Sequence, residues 1–303
     1  MTSAKLDANL SRPPAPSGPT ARARRRPNWF ATLFRNNQLV AAGALILVIM
    51  VALSLLAPWL APHDPTAVNI PDRLQPPSLA YPFGTDEFGR DLLSRVIYGG
   101  RPVLASSLIS VLVAMAIGVA IGTLAGYTGG RTDNLLMRLI DIMLSFPAIL
   151  LAILIVAALG TGLGNAIVAI TFSLIPSFAR LARALTLSLS QDQYVLAARS
   201  VGSSDARIVL RHLLPNMAPP IIVQATALLA IAIAYASALG FLGLGVEPPT
   251  PDWGLMVSEG QRLIFDAIWV PLFPGLAITV TVLSVNFLGD GLRDRLDPAM
   301  RNR

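Results

Sequence analysis

Cysteine is absent from the 303-residue chain, histidine occurs only as His63 and His212, and lysine only as Lys5. The first absence excludes disulfide scaffolds, thiolate metal sites and cysteine nucleophiles. Two histidines leave little from which to build a histidine-based metal cluster. A phosphate-cradling loop of the form G-x-x-x-x-G-K-[ST] needs a lysine after a glycine, and Lys5 follows Ala4, so the chain has no such loop. Charge is scarce as well: 13% of residues are charged and 54% are apolar. A soluble domain carries about 25% charged residues, and a chain of this length cannot cover its surface with half that share. The basic residues are 22 arginines and the one lysine, giving a formal charge of +6.

Uncharged runs account for the apolar excess. Residues 39–61 are 23 positions without a charge. As a helix they span roughly 35 Å against a hydrocarbon core of about 30 Å. Runs at 103–125, 142–160, 219–242 and 267–289 repeat the pattern, and a shorter one at 162–179 contains Pro176. The expectation is an all-α polytopic membrane protein of six transmembrane helices, with 162–179 its weakest span.

Arginine placement orients them. With the N-terminus in the cytoplasm, segments 1–38, 126–141, 180–218 and 290–303 lie inside and hold 18 of the 23 basic residues. Inside is then net +10 and outside net −4. That asymmetry places both termini in the cytoplasm. Trp59 and Trp269 fall at the outer ends of the first and last spans, as interfacial anchors do. The basic pI of 10.4 thus reports orientation and not a nucleic-acid partner.

Residues 1–38, rich in Pro, Ala, Ser and Arg, read as a disordered basic cytoplasmic tail. Arg22, Arg24, Arg25 and Arg26 there serve as an orientation signal or a contact to anionic membrane lipid. The first apolar run starts too late and runs too long for a cleaved signal peptide. Gly118, Gly122 and Gly126 form a small-residue ridge for close helix packing, within the chain or in a dimer. Asp141, one turn from Arg138, is expected to pair with it at a cytoplasmic helix end. No other acid approaches bilayer depth, which leaves little for coupling transport to an ion gradient.

Two outer loops and one inner loop are patterned. Residues 81–91 read Tyr-Pro-Phe-Gly-Thr-Asp-Glu-Phe-Gly-Arg-Asp, followed by an apolar stripe of Leu92, Leu93, Val96 and Ile97. The stripe suggests a short amphipathic helix on the membrane surface, stopped by Gly99-Gly100. Asp86, Glu87 and Asp91 suit a helix N-terminus better than paired acid–base catalysis, since no nucleophile or metal set accompanies them. The second outer loop, 241–254, has three prolines and three glycines and should be stiff. Inside, 193–201 reads as a helix closed by Gly202. Ser203 or Ser204 is placed to cap a second helix over 205–213, which Pro215 should end. Such a helix–Gly–helix serves as a solvated loop or as a docking element for a cytoplasmic partner.

Residues 197–215 resemble the EAA loop of bacterial ABC-importer permeases. There, Glu-Ala-Ala is followed by Gly four residues on and by Ile-x-Leu-Pro after nine more. Ala197, Ala198, Gly202, Leu214 and Pro215 match; Leu196 stands where the pattern has Glu, and His212 where it has Ile. A His there is usual in the peptide/nickel branch. Segments 82–98, 141–152, 241–254 and 286–298 are similar to the dipeptide/oligopeptide/nickel permeases, in particular to their C-type subunit. The resemblance covers about 39–298.

What it implies is a type I ABC importer permease fold in the bacterial cytoplasmic membrane. The chain would divide into the 1–38 tail, a first transmembrane helix plus external segment with amphipathic helix (39–102), a five-helix core (103–292) and a cytoplasmic tail (293–303). The ATPase-coupling loop (190–216) would carry Ala197, Ala198, Arg199, Gly202, Ser203, Asp205, Arg207, Arg211, His212, Leu214 and Pro215. Gly84, Thr85, Asp86, Gly89, Arg90 and Asp91 would form the external family motif. Expected partners are a homologous B-type permease subunit, two cytoplasmic ATPase subunits and an extracytoplasmic substrate-binding protein. ATP and Mg would sit on the ATPases, with no metal, cofactor or catalytic residue on this chain. The cargo would be di- or oligopeptides, alternatively nickel chelates or glutathione. An ion-coupled secondary carrier is the distant alternative, and a membrane enzyme lacks its residue cluster.

Overall fold

The computed structural model describes residues 38–296, so the expected tail, up to residue 37, lies outside the described residues, as do 297–303. Among the described residues nine helices have eight residues or more: α1 (Gln38–Leu55), α2 (Leu92–Thr128), α3 (Gly130–Leu144), α4 (Ala148–Leu159), α5 (Leu163–Leu189), α6 (Gln193–Ser200), α7 (Asp205–Phe241), α8 (Trp253–Gln261) and α9 (Trp269–Leu296). Among the described residues there is no strand, only an isolated bridge between Thr85 and Asp91. Five helices are long and apolar enough to cross a membrane, and the bent pair α3–α4 makes a sixth crossing when its two pieces are taken as one broken span.

The weakest expected span is the centre of the bundle. In α5, 61% of the most apolar window is buried within the chain, against 17% in α1. A helix surrounded by protein needs small residues for close approach more than it needs hydropathy. Ala166, Ala169, Ala179 and Ala182 supply them. The ridge on α2 meets this helix: a Cβ added at Gly122 would land on the Ala179 carbonyl, and one at Gly118 on Phe178 and the Ile175 carbonyl. The small-residue ridge is therefore an intramolecular contact. On the periphery, α1 packs Gly43 against Phe287 and Val40 against Gly291 of α9.

Three expected boundaries move. The run at 142–160 is not one straight helix, because Pro147 separates α3 from α4 with an 88° bend. Pro disfavours helical backbone at the residue before it and removes a donor. The 12 residues of α4 would span only about 18 Å, so the crossing needs both pieces. The amphipathic helix does not stop at Gly99-Gly100. It continues as the first turns of the 37-residue α2, and the expected division at 102/103 falls inside that helix. Leu92, Val96 and Ile97 are buried against protein, while Trp253 and Ser54 close on the two glycines. Close packing there outweighs the roughly 1 kcal/mol helix penalty of each glycine. Lastly, Pro215 does not end the inner helix. A π turn over Val209–Leu213 sends the Leu214 N–H to the Val209 carbonyl, and the offset ladder carries α7 through the proline.

Candidate functional site

The inner loop is a helix–turn–helix presented at the cytoplasmic end of the bundle. α6 ends in a Schellman turn: the Ser203 N–H donates to the Ala198 carbonyl (3.1 Å) and the Gly202 N–H to the Arg199 carbonyl (3.0 Å). Gly202 has φ +79°, which explains why glycine stands there. Ser204 holds the N-cap position of α7, yet its hydroxyl makes no cap bond. Asp205 accepts instead from the Tyr127 hydroxyl at 2.6 Å, and the Arg199 guanidinium lies 5.7 Å from the Tyr127 ring. Tyr127, at the end of α2, thus ties the loop to the bundle. Val195, Ile208 and Leu213 are buried beneath it.

The outward side is apolar and basic. Val201 is 81% exposed and Leu210 66%, with Leu196 and Tyr194 also exposed. Arg199, Arg207 and Arg211 stand exposed among them, as do Ala197 and Pro215; Ala198, His212 and Leu214 are half-buried. Apolar side chains this exposed outside the membrane mark a contact surface. Reading from the sequence singled out the glycine, the arginines and Pro215 but missed Val201, Leu210 and Tyr127. An apolar residue directly before a C′ glycine was the available signal for Val201.

On the opposite side, the external motif is a buried knot. Gly84 (φ +78°) and Gly89 (φ +71°) turn the chain where a Cβ would meet Gln75 and Trp269, or Asn69. The Thr85 hydroxyl donates to the Asp72 carbonyl and accepts from the Gln75 N–H. Asp86 accepts from the Phe88 and Arg90 N–H groups and pairs with the Arg90 side chain at 2.5 Å. Asp91 is the N-cap of α2, accepting from the Ser94 N–H at 3.1 Å, and stands 3.3 Å from His63. Only Asp91 of the three acids serves a helix N-terminus. Glu87 pairs with Arg262 at 2.5 Å.

Arg95 is the hub of this region, its side chain 1% exposed. It lies 3.5 Å from both Asp86 and Glu259 and donates to the Pro65 carbonyl at 3.1 Å. Arg90 also reaches Glu259. Two arginines and two carboxylates thereby join the external segment, the start of α2 and α8. Desolvation pushes the Glu259 carboxyl up, and Arg95 and Arg90 oppose the shift. The Trp253 indole N–H donates to the Val96 carbonyl (2.8 Å), closing α8 onto α2. At the cytoplasmic end Asp141 of α3 pairs with Arg180 of α5 (2.8 Å), not with Arg138 on its own helix. Arg183 makes two 2.6 Å bonds to Asp133 beside it.

Asp252, 4% exposed at the N-cap of α8, has its pKa raised to about 6 by burial, opposed by backbone N–H bonds from Leu255 and Gly254. A raised carboxyl pKa means the folded state holds its proton longer than the unfolded chain. Stability therefore falls as pH climbs from about 4 to 6 and the group ionises, then stays flat above. Asp252→Asn keeps the cap acceptor and removes the charge. Thermal unfolding of the purified protein should show the variant more stable at pH 8, by up to about 3 kcal/mol, and level with wild type near pH 4. An unchanged pH profile would mean that ionised Asp252 carries no burial cost.

The described residues contain no group of three or more His, Asp or Glu able to hold a metal ion. Residues 118–302 match the model of the family described as binding-protein-dependent transport system inner membrane component. Residues 30–77 match the N-terminal transmembrane domain of oligopeptide transport permease C. The chain is 44% identical over 268 residues to the dipeptide transport system permease protein of Alkalihalophilus pseudofirmus, covering 88% of each. It is 45% identical over 275 residues to the di/tripeptide transport system permease protein of Pseudomonas aeruginosa (89% of this chain, 91% of the relative). The glutathione transport system permease protein of Shigella flexneri is 45% identical over 269 residues (88% and 89%). Among solved structures, a chain of the inward facing MetNI methionine ABC transporter shares the fold, with TM-score 0.56 and 22% identity over 67% of this chain and 96% of that one.

Proposed function

Because the chain belongs to the family of binding-protein-dependent transport system inner-membrane components, we propose that it forms half of the translocation path of an ATP-driven peptide importer. It is a multi-pass inner-membrane protein whose N-terminal region is of the oligopeptide permease C type. Relatives named for dipeptides, di- and tripeptides, and glutathione, itself a peptide, support peptide cargo. A homologous B-type subunit completes the path, and a binding protein delivers cargo to the external loops. Two cytoplasmic ATPases bind the ATP and Mg for which this chain has no phosphate loop.

The exposed α6–Gly202–α7 surface carries the mechanism. ATPase closure pushes on Val201, Gly202 and the neighbouring arginines. Because α7 is continuous with the loop and Asp205 bonds Tyr127, the push enters α7 and α2, both 37 residues long. Packed helices move as rigid bodies, so the bundle rocks between inward-open and outward-open states. In a strain deleted for this chain and complemented with it, ATP-dependent uptake of labelled dipeptide should be restored, and the ATPases should co-purify. Uptake restored only for a nickel chelate would overturn the cargo; uptake without co-purifying ATPases, driven by an ion gradient, would overturn the class.

A further inference from the structure

A cleft of about 590 Å³ opens between α7 and α9, with Leu181 of α5 at its edge. It lies toward the cytoplasmic ends of both helices, and on its wall Gly289 lets α9 approach Thr226. Its volume falls in the range that holds small ligands. Its lining is polar: Gln224 of α7 and Asn286 of α9 face it from within their apolar spans, and Asp290 and Arg293 of α9 stand at its cytoplasmic mouth. Positions 286, 290 and 293 share one face of α9. None of the four makes a hydrogen bond or ion pair among the described residues, although Asp290 and Arg293 are only three residues apart. In hydrocarbon the unpartnered amides of Gln224 and Asn286 would each cost several kcal/mol. A face this polar therefore belongs against water or a polar ligand.

We propose that this cleft is a subsite for the zwitterionic termini of a short peptide on the cytoplasmic half of its path, a reading that rests on the importer function above. Asp290 faces the ammonium group, and Arg293 presents its planar fork to the carboxylate. The amides of Gln224 and Asn286 each offer a donor and an acceptor to the peptide bond. Leu181 and Val223 supply an apolar wall that accepts varied side chains without reading them. The subsite thus recognises what all short peptides share: two charged ends and an amide.

The natural absence of cysteine makes the test direct. Gln224→Cys and Asn286→Cys are introduced singly into the whole transporter, reconstituted in nanodiscs without nucleotide. Leu283→Cys, exposed on α9 outside the cleft, is the control. A permanently cationic thiosulfonate reagent should modify the two cleft cysteines at least about tenfold faster than the control, since it does not enter hydrocarbon. Millimolar Ala-Ala with free termini should slow modification about threefold or more, while the acetylated, amidated peptide should not. Adding Asp290→Asn and Arg293→Gln should abolish that protection. Cleft cysteines that react only with membrane-permeant N-ethylmaleimide would show lipid or a partner helix there and overturn the proposal. So would equal protection by the blocked peptide. Wild-type dipeptide uptake, measured in parallel, fails only if the importer reading itself is wrong.

Discussion

Arg95→Ala is expected to destabilise the protein by on the order of 3–5 kcal/mol, the cost of leaving a buried carboxylate without its cation. The side chain is 1% exposed and lies 3.5 Å from Asp86 and Glu259. Its removal also strips the Pro65 carbonyl of a donor. Arg90 then serves both Asp86, at the shorter distance, and Glu259, so the excess negative charge settles on Glu259, already pushed toward protonation by burial. Expression level and thermal unfolding in detergent measure the loss. A second variant separates charge from packing: Arg95→Met with Glu259→Gln restores neutrality and most of the volume, and should recover more than half of the stability. If the double variant is no better than Arg95→Ala, the contact to Pro65 and the packing around the guanidinium matter more than the ion pairs.

Gly202→Trp is expected to abolish uptake while the protein inserts at wild-type abundance. Nothing lies within 4 Å of a Cβ built at Gly202, so an indole there points into open space and disturbs no internal contact. The φ of +79° adds backbone strain of about 1–3 kcal/mol for any side chain. Gly202→Ala carries that strain without the bulk. Alanine should therefore keep most of the uptake and tryptophan should lose it, because only tryptophan blocks a surface that a partner must reach. Normal uptake by the tryptophan variant at wild-type abundance would remove Gly202 from the coupling surface. Equal loss in both variants would assign the defect to the turn.

Much of the inner helix–turn–helix was legible because it is local. A glycine after a short helix, with hydrogen bonds spanning only a few residues, announces a C-terminal turn wherever the chain goes. Tyr127 was not legible, because its bond to Asp205 crosses 78 positions. The external motif showed the same division. Gly84, Gly89 and Asp91 could be singled out as a patterned stretch, but Arg95 looked like one more residue in an amphipathic helix. Its partners Pro65, Asp86, Pro249 and Glu259 come together only in the folded chain.

Composition and the order of residues by themselves determined the membrane class, where the apolar runs lie and the charge asymmetry between the segments that flank them. Those properties follow from transfer energies and charge counts that add along the chain. The absence of a lysine-bearing phosphate loop is likewise a property of residue order alone. Which helix sits at the centre, where a span breaks and where glycines and prolines fail to stop a helix were decided by tertiary structure. α5 is central despite being the least apolar of the five unbroken spans, since burial against protein rewards small residues over greasy ones. α2 runs through Gly99 and Gly100 because Trp253 and Ser54 fill the space those residues leave. Packing energy of that kind depends on partners distant in sequence, which is why local propensity lost to it.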